Sequence, residues 1–242
     1  MKTGGLFVKR FRKKHKQEPE NVTHSTQTTD LTETNQIQTE EEAEFKSFFN
    51  TVLEKMPKAT ANIIRKSYSS SRVQAEKVLA KGKAQSDKVF DEFLLGVDEV
   101  TQKKAHRIIH AASLTAAIIG CSPIPFSDAF LLVPVQMTMM ARLYRLFGRT
   151  WSEGLTKSLS KELVVVTFGR SVVGNVLKFI PAVGTVAGAA VNATVATGIT
   201  EALGWVTVKM LNDGEDIFDQ VMSFKGQFHT LVNALNLGKK SK

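Results

Sequence analysis

Residues 111–141 read AASLTAAIIGCSPIPFSDAFLLVPVQMTMMA and carry one charge, Asp128. The run is long enough for a helix of 31 residues, but Pro123 and Pro125 fall in its middle. Each proline removes an N–H donor and clashes with the turn before it. The spacing predicts a helix ending near Gly120 or Cys121, a short Pro-Ile-Pro turn, and a new helix. Ser122 or Ser127 is placed to cap that helix, Asp128 suits its first turn, and Pro134 is a candidate kink. Lys103, Lys104 and Arg107 precede this hairpin; Arg142, Arg145 and Arg149 follow it.

A second unit repeats the plan. Residues 179–208, FIPAVGTVAGAAVNATVATGITEALGWVTV, carry only Glu201 as a charge. Pro181 and Gly184 break the chain after a helix expected from about Trp151 to Phe179, and the next helix is expected to start near Val183. Pro123, Pro125 and Pro181 therefore mark the hairpin turns. Small residues recur every four positions in both units: Ala112, Ala116 and Gly120 in the first, Gly184, Gly188, Asn192 and Ala196 in the second. Such rows let two helix backbones approach closely, in lipid or in a tight soluble bundle. Asp128 and Glu201 are candidate intramembrane acids if the units enter lipid. Helix capping is the stronger reading for Asp128, and an interfacial or paired carboxylate for Glu201.

Outside these units the same period continues. Phe45, Phe48, Phe49, Val52, Leu53 and Met56 form one helical stripe that Pro57 interrupts. A second stretch runs through Ile63, Ile64 and Tyr68 towards Val78 and Leu79, with Ser69-Ser70-Ser71 as a weak point. A third carries Val89, Phe93, Val97 and Val100 on to Arg107. At the other end, Asp213 is placed to cap a final helix with Asp216 three residues on. Ile217, Val221, Phe224, Phe228, Leu231 and Leu235 then make a seam whose partner is either internal or a second chain. Strand-like alternation is missing. The expected fold is an all-α helical bundle with two Pro-broken apolar hairpins behind a disordered N-terminal tail. Its segments are a tail over 1–44, an amphipathic helical region over 45–110, the apolar double hairpin over 111–212 and a C-terminal amphipathic helix over 213–242.

The chain has 242 residues and a net charge of +9, unevenly spread. Residues 1–16 hold seven Lys and Arg and no acid, residues 17–44 hold eight acids and no Lys or Arg, and residues 45–242 hold +10. In the first segment Lys9, Arg10, Arg12, Lys13 and Lys14 interleave with Leu6, Phe7, Val8 and Phe11. That suits an anionic lipid leaflet and, less specifically, nucleic acid, which is not favoured. Its apolar stretch of three residues is too short for a secretory signal, and Met-Lys does not fit the myristoylation pattern. The Thr-, Gln- and Glu-rich segment 17–44 has few large apolar side chains to offset chain entropy and reads as a linker. Mean hydropathy is −0.08, not that of a chain mostly in lipid.

No catalytic constellation is found, and no cofactor or metal is expected. The nearest match to a phosphate-cradling loop, Gly169-Arg-Ser-Val-Val-Gly174, has Asn175 and Val176 where Lys and Ser/Thr belong. His106 and His110 share a helix face, but Arg107 stands where a zincin has Glu. Cys121, the single cysteine, excludes an internal disulfide and lies in an apolar turn without a nearby base.

Two strings carry a family resemblance: Ala112 to Asp128 with its continuation Leu131-Leu-Val-Pro-Val-Gln136, and Lys178-Phe-Ile-Pro-Ala-Val-Gly-Thr-Val-Ala-Gly-Ala-Ala-Val-Asn192. Both closely resemble the bacterial domain of unknown function often fused to, or encoded beside, Era-like GTPases (the YcjF-type family). The resemblance covers roughly residues 100–212. It implies a helical, membrane-linked module working with a GTPase and supplies no catalytic residues. This chain has no GTPase domain, so such a partner acts in trans. The expected protein is a non-enzymatic helical accessory at the bacterial cytoplasmic membrane, its N-terminus cytoplasmic. A homo-oligomer through the 217–235 helix is a further expectation. The run from Ile108 to Ser122 spans about 22 Å against a hydrocarbon core of about 30 Å, which favours shallow or re-entrant hairpins over full crossings. The alternative is a soluble bundle that binds protein or nucleic acid.

Overall fold

The computed structural model describes residues 24–124, 129–151, 186–217 and 219–234. Helices α1 (His24–Glu54), α2 (Lys58–Phe93), α3 (Glu99–Cys121), α4 (Val133–Leu146), α5 (Val186–Asn212) and α6 (Val221–Ala234) follow in order, with a 3-10 turn at Ala129–Leu132. Among the described residues there is no strand, and the all-α expectation holds. The chain divides into two units, residues 1–39 and 40–242. Of the first, the described part is the N-terminal portion of α1, where the Thr39 hydroxyl donates to the Asn35 carbonyl at 2.8 Å. The basic side chains Lys9, Arg10, Arg12, Lys13 and Lys14 lie outside the described residues.

Residues 24–44 are helical, where the composition pointed to an unstructured linker. Two causes act together. Gln and Glu are good helix formers, and a helix nucleated by the Phe45–Leu53 stripe lengthens at one hydrogen bond per added residue. Arginines from later helices also engage the acids from Glu40 onward. Glu42 takes Arg72 of α2 in a bidentate pair at 2.7 and 3.0 Å, and Glu44 takes Arg142 of α4 at 2.5 Å. Glu40 pairs with Arg107 of α3. The Arg72 guanidinium also lies 4.9 Å from the Phe45 ring centroid, and that of Arg142 lies 5.1 Å from Phe48. The stripe itself is buried as its period predicts, with Phe48 and Val52 fully enclosed. Each such side chain contributes about 1.5–3 kcal/mol relative to exposure.

Helix α2 runs unbroken through Ser69-Ser70-Ser71. The serines satisfy themselves there: Ser67 and Ser70 donate to carbonyls within the helix, and buried Ser71 lies 3.4 Å from the Ser122 hydroxyl. The break comes later, inside the stretch read as a third helix. Gly96 adopts φ 95°, and the Asp98 side chain accepts from the Thr101 N–H at 2.9 Å to start α3. Val97 is buried in the turn and Val100 is exposed, so the apparent period across Val89 to Arg107 joined residues of two elements.

Helix α3 ends at Cys121, as the Pro-Ile-Pro turn predicts, and Pro123 follows it exposed. Ser122 closes this helix instead of opening the next one. Its hydroxyl donates to the Ile118 carbonyl at 2.7 Å. Pro134 lies in the first turn of α4, where its missing N–H costs no helical bond, so it begins that helix without kinking it. Pro125, Asp128, Pro181, Gly184 and the helix expected over 151–179 lie outside the described residues.

Asp213 does not cap the final helix. Its carboxylate binds Lys209 Nζ one turn earlier, at 2.5 and 2.7 Å, and Gly214 at φ 80° finishes α5. Helix α6 begins only at Val221. Its seam residues Phe224, Phe228 and Leu231, with Ile217 from the preceding turn, are buried within this chain, and α6 packs on α5. Leu235 lies outside the described residues. Helix α3 lies at the centre, touching α2, α4 and most extensively α5.

Candidate functional site

The distinctive feature is the seam between α3 and α5. A Cβ built on Gly120 would lie 2.8 Å from the Ala193 Cα and 2.9 Å from its nitrogen, too close for any side chain. At the other end, a Cβ on Gly204 would lie 2.7 Å from Ile109 Cγ1 and 3.1 Å from the sulfur of Met139 in α4. The two contacts are eleven residues apart on each helix and run in opposite order, so the pair is antiparallel with constant register. That register sets Ser113 level with Thr200 and Ala116 level with Thr197, at helical spacings of four and three.

Ala116 and Gly120 lie on the seam, and Ala112 is buried beside it. The Asn192 carbonyl carbon lies 3.2 Å from the built Gly120 Cβ, while Ala193, one residue on, makes the closest contact. Gly188 lies in the first turn of α5.

The seam is polar as well as small. Thr115 and Thr207 donate to the carbonyls of Ala111 and Leu203, each at 2.8 Å. Ser113, Thr197, Thr200 and both amide atoms of Gln136 in α4 are buried without a hydrogen-bond partner among the described residues. Glu201 follows Thr200 on α5 and is half-buried. Small residues that let two backbones approach this closely are common where helices pack in lipid, though among the described residues none of these hydroxyls bonds across the seam.

The rings of His106 and His110 lie nearly parallel at 6.1 Å, and His106 is 6.0 Å from Trp205 of α5. Among the described residues no group of His, Cys, Asp and Glu is arranged to hold a metal ion. Burial pushes the Cys121 thiol up to about 11, the opposite of what a nucleophile needs. Among the described residues no helix is long and apolar enough to cross a membrane.

A family model described as a domain of unknown function, DUF697, matches residues 84–229. Magnetosome membrane protein 22 of Magnetospirillum gryphiswaldense is 32% identical over 119 residues, which is 48% of this chain and 61% of that protein. The matched stretch thus spans about three fifths of that curated relative. No solved structure matches the chain.

Proposed function

The chain belongs to the DUF697 family, and on that footing we propose that it is a membrane-associated, non-enzymatic helical accessory protein that works with a GTPase in trans. The observation that carries the membrane reading is the α3–α5 seam: glycine-close backbones lined by buried hydroxyls. A relative whose name places it in a membrane supports the same reading. The seven cations of residues 1–16 supply an anionic-lipid contact independent of the hairpins. The GTPase partnership rests on the resemblance of the two Pro-centred strings, and Asp128 and Glu201 remain candidate acids at the lipid boundary.

Fractionation tests the membrane reading. The full chain should stay with membranes through a carbonate wash and leave them with detergent. Recovery in the soluble fraction without detergent overturns it. The GTPase reading is tested by cross-linking in cells, which should capture a GTP-binding protein that purified chain also retains. One observation favours the second reading, a soluble helical bundle that binds another protein: the apolar faces of α3, α4 and α5 bury one another within this chain. The same fractionation separates the two.

A further inference from the structure

The faces of α1 and α4 that meet beside Phe48 hold unbalanced charge. On α4, Thr138, Arg142 and Arg145 fall at helical spacings of four and three; Ser47 and Thr51 of α1 and Lys55, in the turn just after it, fall four apart. Arg142 bridges the two faces. It donates to Glu44 at 2.5 Å, to the Ser47 hydroxyl at 3.1 Å and to the Thr51 hydroxyl at 3.4 Å. Lys55 reaches across to donate to the Thr138 hydroxyl at 2.9 Å, a neutral oxygen. Among the described residues neither Lys55 nor Arg145 has a carboxylate within ion-pair distance. The three cations thus share one bonded acid, Glu44. Burial first, then Arg142 and Arg145, hold the Lys55 ammonium below its ordinary range, as expected of a crowded cation without a counter-charge.

We infer that Lys55, Arg142 and Arg145 form a binding site for a phosphate group. Lys55 is a point charge with two of its three donors unspent, and Arg145 offers a whole exposed guanidinium fork. The buried Thr138 hydroxyl accepts from Lys55 and holds the ammonium in place. Arg142, fixed by Glu44 and the Phe48 face, supplies field and shape. The group recognised is a phosphate ester or phosphate itself. An anionic phospholipid headgroup is the source that the membrane reading implies, and to that extent the inference rests on it; inorganic phosphate has the same chemistry without that assumption.

Calorimetry on the full chain at constant ionic strength tests the site with two probes, dihexanoyl-phosphatidylglycerol below its aggregation concentration and inorganic phosphate. Lys55→Met and Arg145→Gln remove one charge each at exposed positions; Lys66→Met and Lys77→Met do the same on the exposed face of α2. The expected result is saturable binding of the lipid, weakened about tenfold or more by either site variant and unchanged by either control. Equal affinity for inorganic phosphate assigns recognition to the phosphate alone; binding of the lipid only assigns it to the headgroup ester. Bound anion should also raise the titration of the Lys55 ammonium followed by NMR. No saturable binding of either probe, or an equal loss in the α2 controls, overturns the site. Membrane retention in the carbonate wash is read separately, so failure of the site leaves that result standing and the reverse.

Discussion

Gly120 of α3 lies directly on the backbone of Ala193 in α5, with 2.8 Å between the Cα of the alanine and the place where a glycine side chain would begin. Nothing flexible stands between them. The opposite contact, Gly204 against Ile109 and Met139, is with side chains and not with backbone.

That difference orders two substitutions. Gly120→Ala should cost about 1–3 kcal/mol, because overpacking against backbone outweighs the gain of up to about 1 kcal/mol in helix propensity. Gly204→Ala should also destabilise, but by less than Gly120→Ala, since the buried Ile109 side chain must shift where a backbone cannot. Urea unfolding of both variants in detergent checks the order, and a Gly120→Ala protein as stable as its parent contradicts the seam.

Glu42 should contribute to an acid limb. The hydrogen bond from Arg72 is the main cause that holds its carboxyl below the ordinary 4.5. A depressed folded value means the pair stabilises the protein at pH above 4.5 and loses that contribution as the pH falls through the lower folded value. Glu42→Gln should therefore flatten the fall of stability below 4.5 while lowering stability near neutrality. Both partners are partly exposed, so added salt should shrink the difference. Parallel pH profiles for parent and variant argue against the pair.

Cys121 should resist alkylation in the folded chain. With its thiol near 11 and only 8% of its surface exposed, the thiolate near pH 8 amounts to about a thousandth of the population. Modification by iodoacetamide should follow the unfolding transition in urea; rapid labelling of native protein contradicts this burial.

Deletion of residues 1–16 should weaken binding to anionic vesicles and reduce its dependence on salt, each of the seven cations contributing up to about 1 kcal/mol near a charged surface. Vesicle sedimentation over a salt series measures both. Unchanged binding and salt dependence would make the segment a bystander.

The purified chain should show no preference for GTP or ATP over inorganic triphosphate, because the sequence provides no glycine loop followed by the phosphate-reaching lysine. Tighter binding of either nucleotide than of triphosphate in calorimetry contradicts this.

Local signals foretold local features. Pro123 and Pro125 announced the end of α3 at Cys121, and the 45–56 spacing announced the buried face of α1. Which residue of α5 meets Gly120 was illegible, because it depends on a register between separate segments. Gly96 and Asp98 did mark the start of α3, yet Val97 and Val100 continued the period across the turn and masked the stop. The helicity of residues 40–44 was illegible for another reason. Their partners Arg72, Arg107 and Arg142 lie 30, 67 and 98 positions away from the acids they bind, beyond any window of local composition. The Lys55–Arg145 cluster was hidden likewise, since its members are brought together by the packing of α1 on α4.

The separation of Glu44 from Arg142 bears on how the chain is made. A ribosome adding about 5–20 residues per second delivers Arg142 roughly 5–20 s after Glu44. Through that interval Phe48 lacks the Arg142 guanidinium that later covers its ring. Glu40, Glu42 and Glu44 are already synthesised beside it, and their hydration and mutual repulsion keep the aromatic stripe in solution. The carboxylates that later pin α1 to three helices first act as its solubilising escort during translation.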